Sequence, residues 1–148
     1  MEAEYDFIVN PRARSGMGDM IWRMLEPELK KRRIIYRVHM TQRRGHAEKI
    51  AGTLTSDGSR RTLVVLGGDG TINEVVNGIC FPKRATLGYI PIGSSNDFAR
   101  GLGLPTDPKE ALRVVLEPQK VIGMDIGVLD CKKPRRFLVS AGIGFDAA

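Results

Sequence analysis

The run Thr62-Leu-Val-Val-Leu66, closed by Gly67-Gly-Asp-Gly-Thr71, constrains this chain most. A strand with apolar side chains on both faces cannot lie against solvent. It needs cover on two sides, which is the place of a central strand in a parallel sheet. The rest of the chain reads as the elements that supply that cover. Tyr5–Asn10, Ile34–Met40 and Leu87–Ile92 read as further strands. Asp19–Arg33, His46–Leu54, Ile72–Ile79 and a segment from Asp107 to about Glu117 read as helices, with a short helix ending at Leu102. Met20, Ile21, Met24, Leu25 and Leu29 form the apolar stripe of the first helix. Trp22 and the methionines around it are assigned to the core, and Pro27 marks a kink. Asp107-Pro-Lys-Glu110 is a helix start, with Asp107 as the cap. Val121–Val128 and Phe137–Ala141 read as closing strands on either side of Asp130–Arg136. The fold class is therefore α/β, a Rossmann-like parallel sheet flanked by helices on both faces. Ligands of such sheets bind outside the carboxyl ends of the strands.

A length of 148 residues suits one domain. The longest uncharged stretch, Ala85–Asn96, holds two glycines and a proline and is too short and polar to span a bilayer. The acidic start, Met1 to Asp6, is not a signal peptide. Cys80 and Cys131 stand far apart, so both are read as thiols of a reducing, cytoplasmic compartment. With His39 and His46 they make no metal-ligand spacing. The net charge of +6 is uneven: residues 1–61 hold thirteen Lys/Arg against eight Asp/Glu. Such a balance favours an anionic partner. Without interleaved aromatics or a recognisable module, nucleic acid is excluded as that partner. Lys30-Lys-Arg-Arg33 is explained by the end of a helix, where cations meet the dipole.

Polar, glycine-rich clusters follow the strands: Asn10-Pro-Arg-Ala-Arg-Ser-Gly16, Thr41-Gln-Arg-Arg-Gly-His46, Gly67–Thr71 and Gly93-Ser-Ser-Asn-Asp97. The fold rule gathers them on one rim as a binding crevice. In Gly67–Thr71, three glycines admit a phosphate close to the backbone, and the helix that follows offers open N–H groups. The spacing matches neither the Walker phosphate loop nor the dinucleotide fingerprint. Asp69 repels phosphate unless it serves magnesium or a reacting hydroxyl. A plain strand-to-helix turn, with Thr71 and Glu74 as a capping box, is the alternative. Gly93–Asp97 reads equally well as a capping turn, and Asp125 as a solvated strand end. Arg12, Arg14, Arg43 and Arg44 either meet phosphates or are merely solvated. His46 is read as the first residue of its helix rather than as a base.

Together these residues resemble the catalytic domain of bacterial diacylglycerol kinases and their sphingosine and ceramide kinase relatives. The resemblance is carried by Asn10-Pro11 with Ser15-Gly16, Thr41 with Gly45-His46-Ala47, Gly67–Gly78, Ile90–Gly103, Asp125-Ile-Gly127 and Gly142–Asp146. The fourth cluster departs from the family's usual Gly-Thr-Gly-Asn-Asp, with Ser94 and Ser95 at its second and third places. The first loop is longer than the commonest form.

The resemblance implies an ATP site lined by Asn10, Pro11, Arg12, Ala13, Arg14, Thr41, Gly67, Gly68, Asp69, Gly70, Thr71, Ile72, Asn73 and Ser94. It makes Asp69 catalytic and places Asp69, Asp97 and Asp125 in a water–magnesium network. The implied reaction carries the γ-phosphoryl group of ATP to a lipid hydroxyl, with phosphatidic acid from diacylglycerol as first expectation. The lipid is met at the membrane surface by a cytoplasmic protein in peripheral contact, and a homodimer is allowed. Residues 1–148 are then expected to be the ATP-binding domain, with a β-rich C-terminal domain outside this chain supplying the catalytic base. The isolated chain is expected to be inactive. A soluble kinase of the NAD kinase type and a non-catalytic nucleotide-binding module are the rival readings.

Overall fold

The computed structural model describes residues 3–93 and 95–117, and beyond them the backbone of four short strands. In chain order the elements are β1 (Tyr5–Val9), α1 (Ala13–Lys31), β2 (Tyr36–Met40), α2 (His46–Thr55), β3 (Arg61–Gly67), α3 (Asp69–Gly78), β4 (Ala85–Pro91), α4 (Asp97–Leu102) and α5 (Pro108–Leu116). The short strands β5 (Ile122–Met124), β6 (Ile126–Leu129), β7 (Arg135–Leu138) and β8 (Phe145–Ala147) follow. One sheet has the order β2-β1-β3-β4-β8-β5. Its first four strands are parallel, as expected, while β8 joins β4 antiparallel. The segment read as a single closing strand is instead two. β5 enters the main sheet, and β6 pairs with β7 in a separate antiparallel ribbon.

The run at Leu63–Leu66 is central and wholly buried. Because side chains alternate along a strand, its residues feed two separate cores. Leu63 and Val65 join Ile8, Leu87 and Tyr89 beneath α2, α3 and α4. Val64 and Leu66 join Phe7, Val9 and Ile90 beneath α1 and α5. Asp6, only 2% exposed, is the charged residue of β1. Burial alone would raise its carboxyl, but hydrogen bonds from His39 and Arg37 outweigh that and hold it below the usual carboxylate range.

The first helix differs from its sequence reading in three respects. Its buried stripe is Ile21, Trp22, Leu25 and Leu29, a narrow face, and Met20 and Met24 are 62% and 45% exposed on its flank. Pro27 sits inside α1 without breaking its helical φ/ψ. The break lies instead at Arg14, Ser15 and Gly16, three consecutive residues in left-handed conformation. The chain between Asn10 and Met17 is thus a loop in substance, as expected, held by the Asp19 N–H on the Pro11 carbonyl. At the far end Arg33 is also left-handed, and Ile34 N–H reaches the Leu29 carbonyl to close the helix in a Schellman arrangement. α5 starts as read: Asp107 accepts the Glu110 N–H at 3.1 Å, with Pro108 at the first helical position.

Candidate functional site

Strand order 2-1-3-4 reverses direction between β1 and β3, and a parallel sheet opens a crevice at such a reversal. Each strand end is hooked to its neighbour there. Thr41 N–H meets the Val9 carbonyl, Asn10 N–H the Leu66 carbonyl, and Ile92 N–H the Gly67 carbonyl, at 2.8–2.9 Å. The loops that leave these strands therefore start from a fixed edge.

A cavity of about 270 Å³ lies at this point, lined by residues of three loops, among them Asn10, Arg12, Thr41, Arg43, Arg44 and Gly70. Asn10 ties the first loop to the third: its carboxamide donates to Thr71 Oγ1 at 3.4 Å and accepts the Arg12 N–H at 3.1 Å. Thr71 and Ile72 both send their N–H groups to the Gly68 carbonyl. Among the described residues, the amides of Asp69 and Gly70 have no backbone acceptor, and α3 begins with open donors beside three arginines.

Of the residues expected to bind nucleotide, Asn10, Arg12, Thr41, Gly70 and Thr71 line this cavity. Ala13 and Ile72 turn their side chains into the two cores, which leaves only their backbone for a ligand. Pro11 and Arg14 in the first loop, and Gly67, Gly68, Asp69 and Asn73 from the end of β3 into the start of α3, do not line it. Ser94 and Asp125 lie outside the described residues. Gln42, Ala47 and Glu74 also line the cavity; the sequence placed Gln42 in the second polar cluster, Ala47 in a segment that carries the resemblance, and Glu74 in the supposed capping box.

Asp69 has a partner the sequence does not show. Its two carboxylate oxygens accept the N–H groups of Asp97 and Phe98, at 3.1 and 3.2 Å. It caps α4 from across the crevice and joins the third cluster to the fourth. Below it, burial and then the charge of Asp69 raise the Tyr89 phenol, whose O–H donates to the Gly67 carbonyl. The capping box read at Thr71–Glu74 is not formed. The cap of α3 is Gly68, three residues earlier than that box requires, and Glu74 instead accepts the Gly45 N–H. His46 opens α2 as read, and its Nδ1 accepts the Gln42 N–H.

The donor set suits a polyphosphate better than a directly bound cation. Among the described residues no three His, Cys, Asp or Glu side chains are grouped to hold a metal ion. The basic charge is divided as well. Arg12, Arg43 and Arg44 stand at the carboxyl rim, while Lys30–Arg33 end α1 at the opposite, amino edge of the sheet.

The model of the diacylglycerol kinase catalytic domain matches residues 4–129, most of the chain. The chain belongs to this family. The Bacillus subtilis (strain 168) protein named "Putative lipid kinase YtlR" is 34% identical over 147 residues, which is 95% of this chain and 48% of that protein. The Staphylococcus carnosus (strain TM300) protein named diacylglycerol kinase is 45% identical over 94 residues, 59% of this chain and 30% of that one. A crystal structure of a Bacillus anthracis diacylglycerol kinase superposes with a TM-score of 0.64 at 33% identity, covering 76% of this chain and 39% of that one. The family chain described here thus spans about half the length of the relatives it matches, or less. Among the described residues, no helix is long and apolar enough to cross a membrane.

Proposed function

We propose that this domain binds ATP for a lipid kinase that carries the γ-phosphoryl group to a lipid hydroxyl, with diacylglycerol as the first candidate acceptor. The observation that carries the reading is the cavity at the strand-order reversal, where three arginines and the open amides of α3 converge. Membership of a kinase family supports it. In this reading Arg12, Arg43, Arg44 and the amides after Gly68 hold the phosphates, with Asn10 and Thr41 setting the loops that carry them. Ser94 and the backbones of Pro11, Ala13, Arg14, Gly67, Ile72 and Asn73 complete the nucleotide site.

Magnesium would supply charge neutralisation at the phosphates. Asp69, Asp97 and Asp125 would approach it through water, since the described carboxylates form no direct cage. Asp69 holds α4 in register with the phosphate loop, and that positions Asp97 at the same rim. Charge stabilisation and positioning do most of the work in phosphoryl transfer, and this site is built for both. We further propose that the lipid pocket and the catalytic base come from a β-rich segment equivalent to the part of the relatives that this chain does not cover. Peripheral contact of a cytoplasmic protein with anionic lipid, and pairing into a homodimer, belong to the same proposal.

Two measurements test it. Calorimetry on this chain should show heat with ATP, and silence with ATP, ADP and analogues would remove the nucleotide site. Radiolabelled phosphate transfer to diacylglycerol in mixed micelles should require the domain together with the segment equivalent to the rest of its relatives. Transfer to NAD in place of lipid would overturn the choice of acceptor.

A further inference from the structure

The loop that brings Arg43 and Arg44 to the cavity is short and exposed, and neither arginine has an ion pair among the described residues. Long cations on an untied loop lose much conformational freedom when they close on an anion, and the loss opposes binding. This loop is tied at four places. Thr41 N–H continues the ladder to Val9, Gln42 N–H meets His46 Nδ1 at 2.9 Å, and His46 N–H meets the Arg43 carbonyl at 3.1 Å. The first of these bonds crosses to β1, and the other two stay within the loop. The fourth, from Gly45 N–H to Glu74 Oε1 at 3.0 Å, crosses to α3, which forms the opposite wall with Gly70 and Thr71.

The crossing is backed by close packing. A Cβ on Gly78 would lie 2.0 Å from the Glu48 carbonyl oxygen, so α2 and α3 touch backbone to backbone. Past α3, Cys80 N–H donates to Thr55 Oγ1 at 3.0 Å. These contacts hold α2 against the end of α3, and Glu74 holds it at the cavity. Gly45 itself has φ +86°, a conformation few other residues accept, and it presents its amide to the carboxylate. A carboxylate facing an anion site is unfavourable when its charge is free. Here one of its oxygens is engaged by the loop.

We infer that Glu74 is a positioning residue for polyphosphate recognition, holding the Thr41–Gly45 loop so that Arg43 and Arg44 face the cavity. The inference rests on the phosphate reading of that cavity. Glu74 needs only an acceptor oxygen for the task, and glutamine has one.

The test is calorimetry on the 148-residue chain with sodium tripolyphosphate and with ATP. It compares Glu74→Ala, Glu74→Gln, the pair Arg43→Ala and Arg44→Ala, and the triple variant, each checked by thermal melting. Glu74→Ala should weaken both ligands about tenfold, Glu74→Gln should stay within about threefold of the parent, and Glu74→Ala should add nothing to the arginine pair. Amide exchange at Gly45 should accelerate in Glu74→Ala and stay slow in Glu74→Gln. A Glu74→Gln variant as weak as Glu74→Ala, or full additivity with the arginine pair, overturns the inference. So does unchanged binding in Glu74→Ala while the parent binds, and the nucleotide reading then survives. If the parent chain binds neither ligand, that reading fails and the positioning role fails with it.

Discussion

Gly67 and Gly70 stand three residues apart across the junction of β3 and α3, yet their surroundings predict opposite outcomes on substitution. A Cβ built on Gly67 would lie 2.7 Å from Thr71 Oγ1 and 2.8 Å from Thr71 Cβ, and Thr71 is buried and bonded to Asn10. Gly67→Ala must therefore shift a packed side chain, at a cost of about 1–3 kcal/mol. A Cβ on Gly70 meets nothing within 4 Å, and the residue lies in the first turn of α3 without a positive φ. Gly70→Ala should stabilise the fold by about 0.4–1 kcal/mol, because alanine has fewer unfolded conformations to lose. The added methyl projects beside the open amides into the cavity and should weaken ATP about tenfold. At an ATP concentration of about 100 Kd for the parent, ligand stabilisation is then about 2.7 kcal/mol for the parent and about 1.4 kcal/mol for Gly70→Ala. For a domain of this size each kcal/mol moves Tm by roughly 2–4 °C, so melting with and without ATP separates the two effects. The reasoning is refuted if Gly70→Ala keeps the whole ATP-induced rise, or if Gly67→Ala melts as high as the parent.

Asp69→Asn keeps one acceptor but turns an NH₂ group toward an amide, so it should lose about 1 kcal/mol, read as a lowered urea midpoint. Activity lost in that variant must be judged beside its stability. Arg33→Gly should gain about 1 kcal/mol in the same assay, because glycine takes the left-handed turn after α1 without steric cost. All three tyrosines are raised: Tyr5 and Tyr89 by burial and then by Glu4 and Asp69, and Tyr36 by burial and then by Glu26, to about 12. A phenol raised in the folded state contributes stability that is whole below pH ~10 and is lost as pH climbs through the folded values. Ultraviolet titration should find no tyrosine of the folded chain ionising at its ordinary value, and a phenolate step near pH 10 before unfolding would contradict the burial of these rings.

The parts of the fold that were legible in the sequence are those set by local pattern. Leu63–Leu66 could only be central, Asp107-Pro108 could only start a helix, and the polar clusters had to follow strand ends. What escaped depends on partners far away in the chain. Thr71 and Glu74 have capping-box spacing, but Glu74 finds the Gly45 amide 29 residues away, and Gly68 ends the strand too early for the box. Met20 and Met24 fit a helical stripe by spacing, yet the contact surface of α1 is too narrow to reach them. The left-handed conformations of Arg14 and Ser15 have no signature in residues that usually avoid them. Asp69 attracts notice as a carboxylate beside glycines, whereas its role as the cap of α4 exists only once the two loops meet.

The sheet also works as a partition. Val64 and Val65 are neighbours in the chain but belong to different cores, one shared with α1 and α5 and the other with α2, α3 and α4. Substitutions on opposite faces share few side-chain neighbours, so their effects on stability should sum with little coupling. A lineage can then exchange residues beneath α1 and α5 without repacking the helices that flank the Gly67–Thr71 turn. The two halves meet again at the rim, where Asn10 reaches Thr71, and there a change on one side demands an answer from the other.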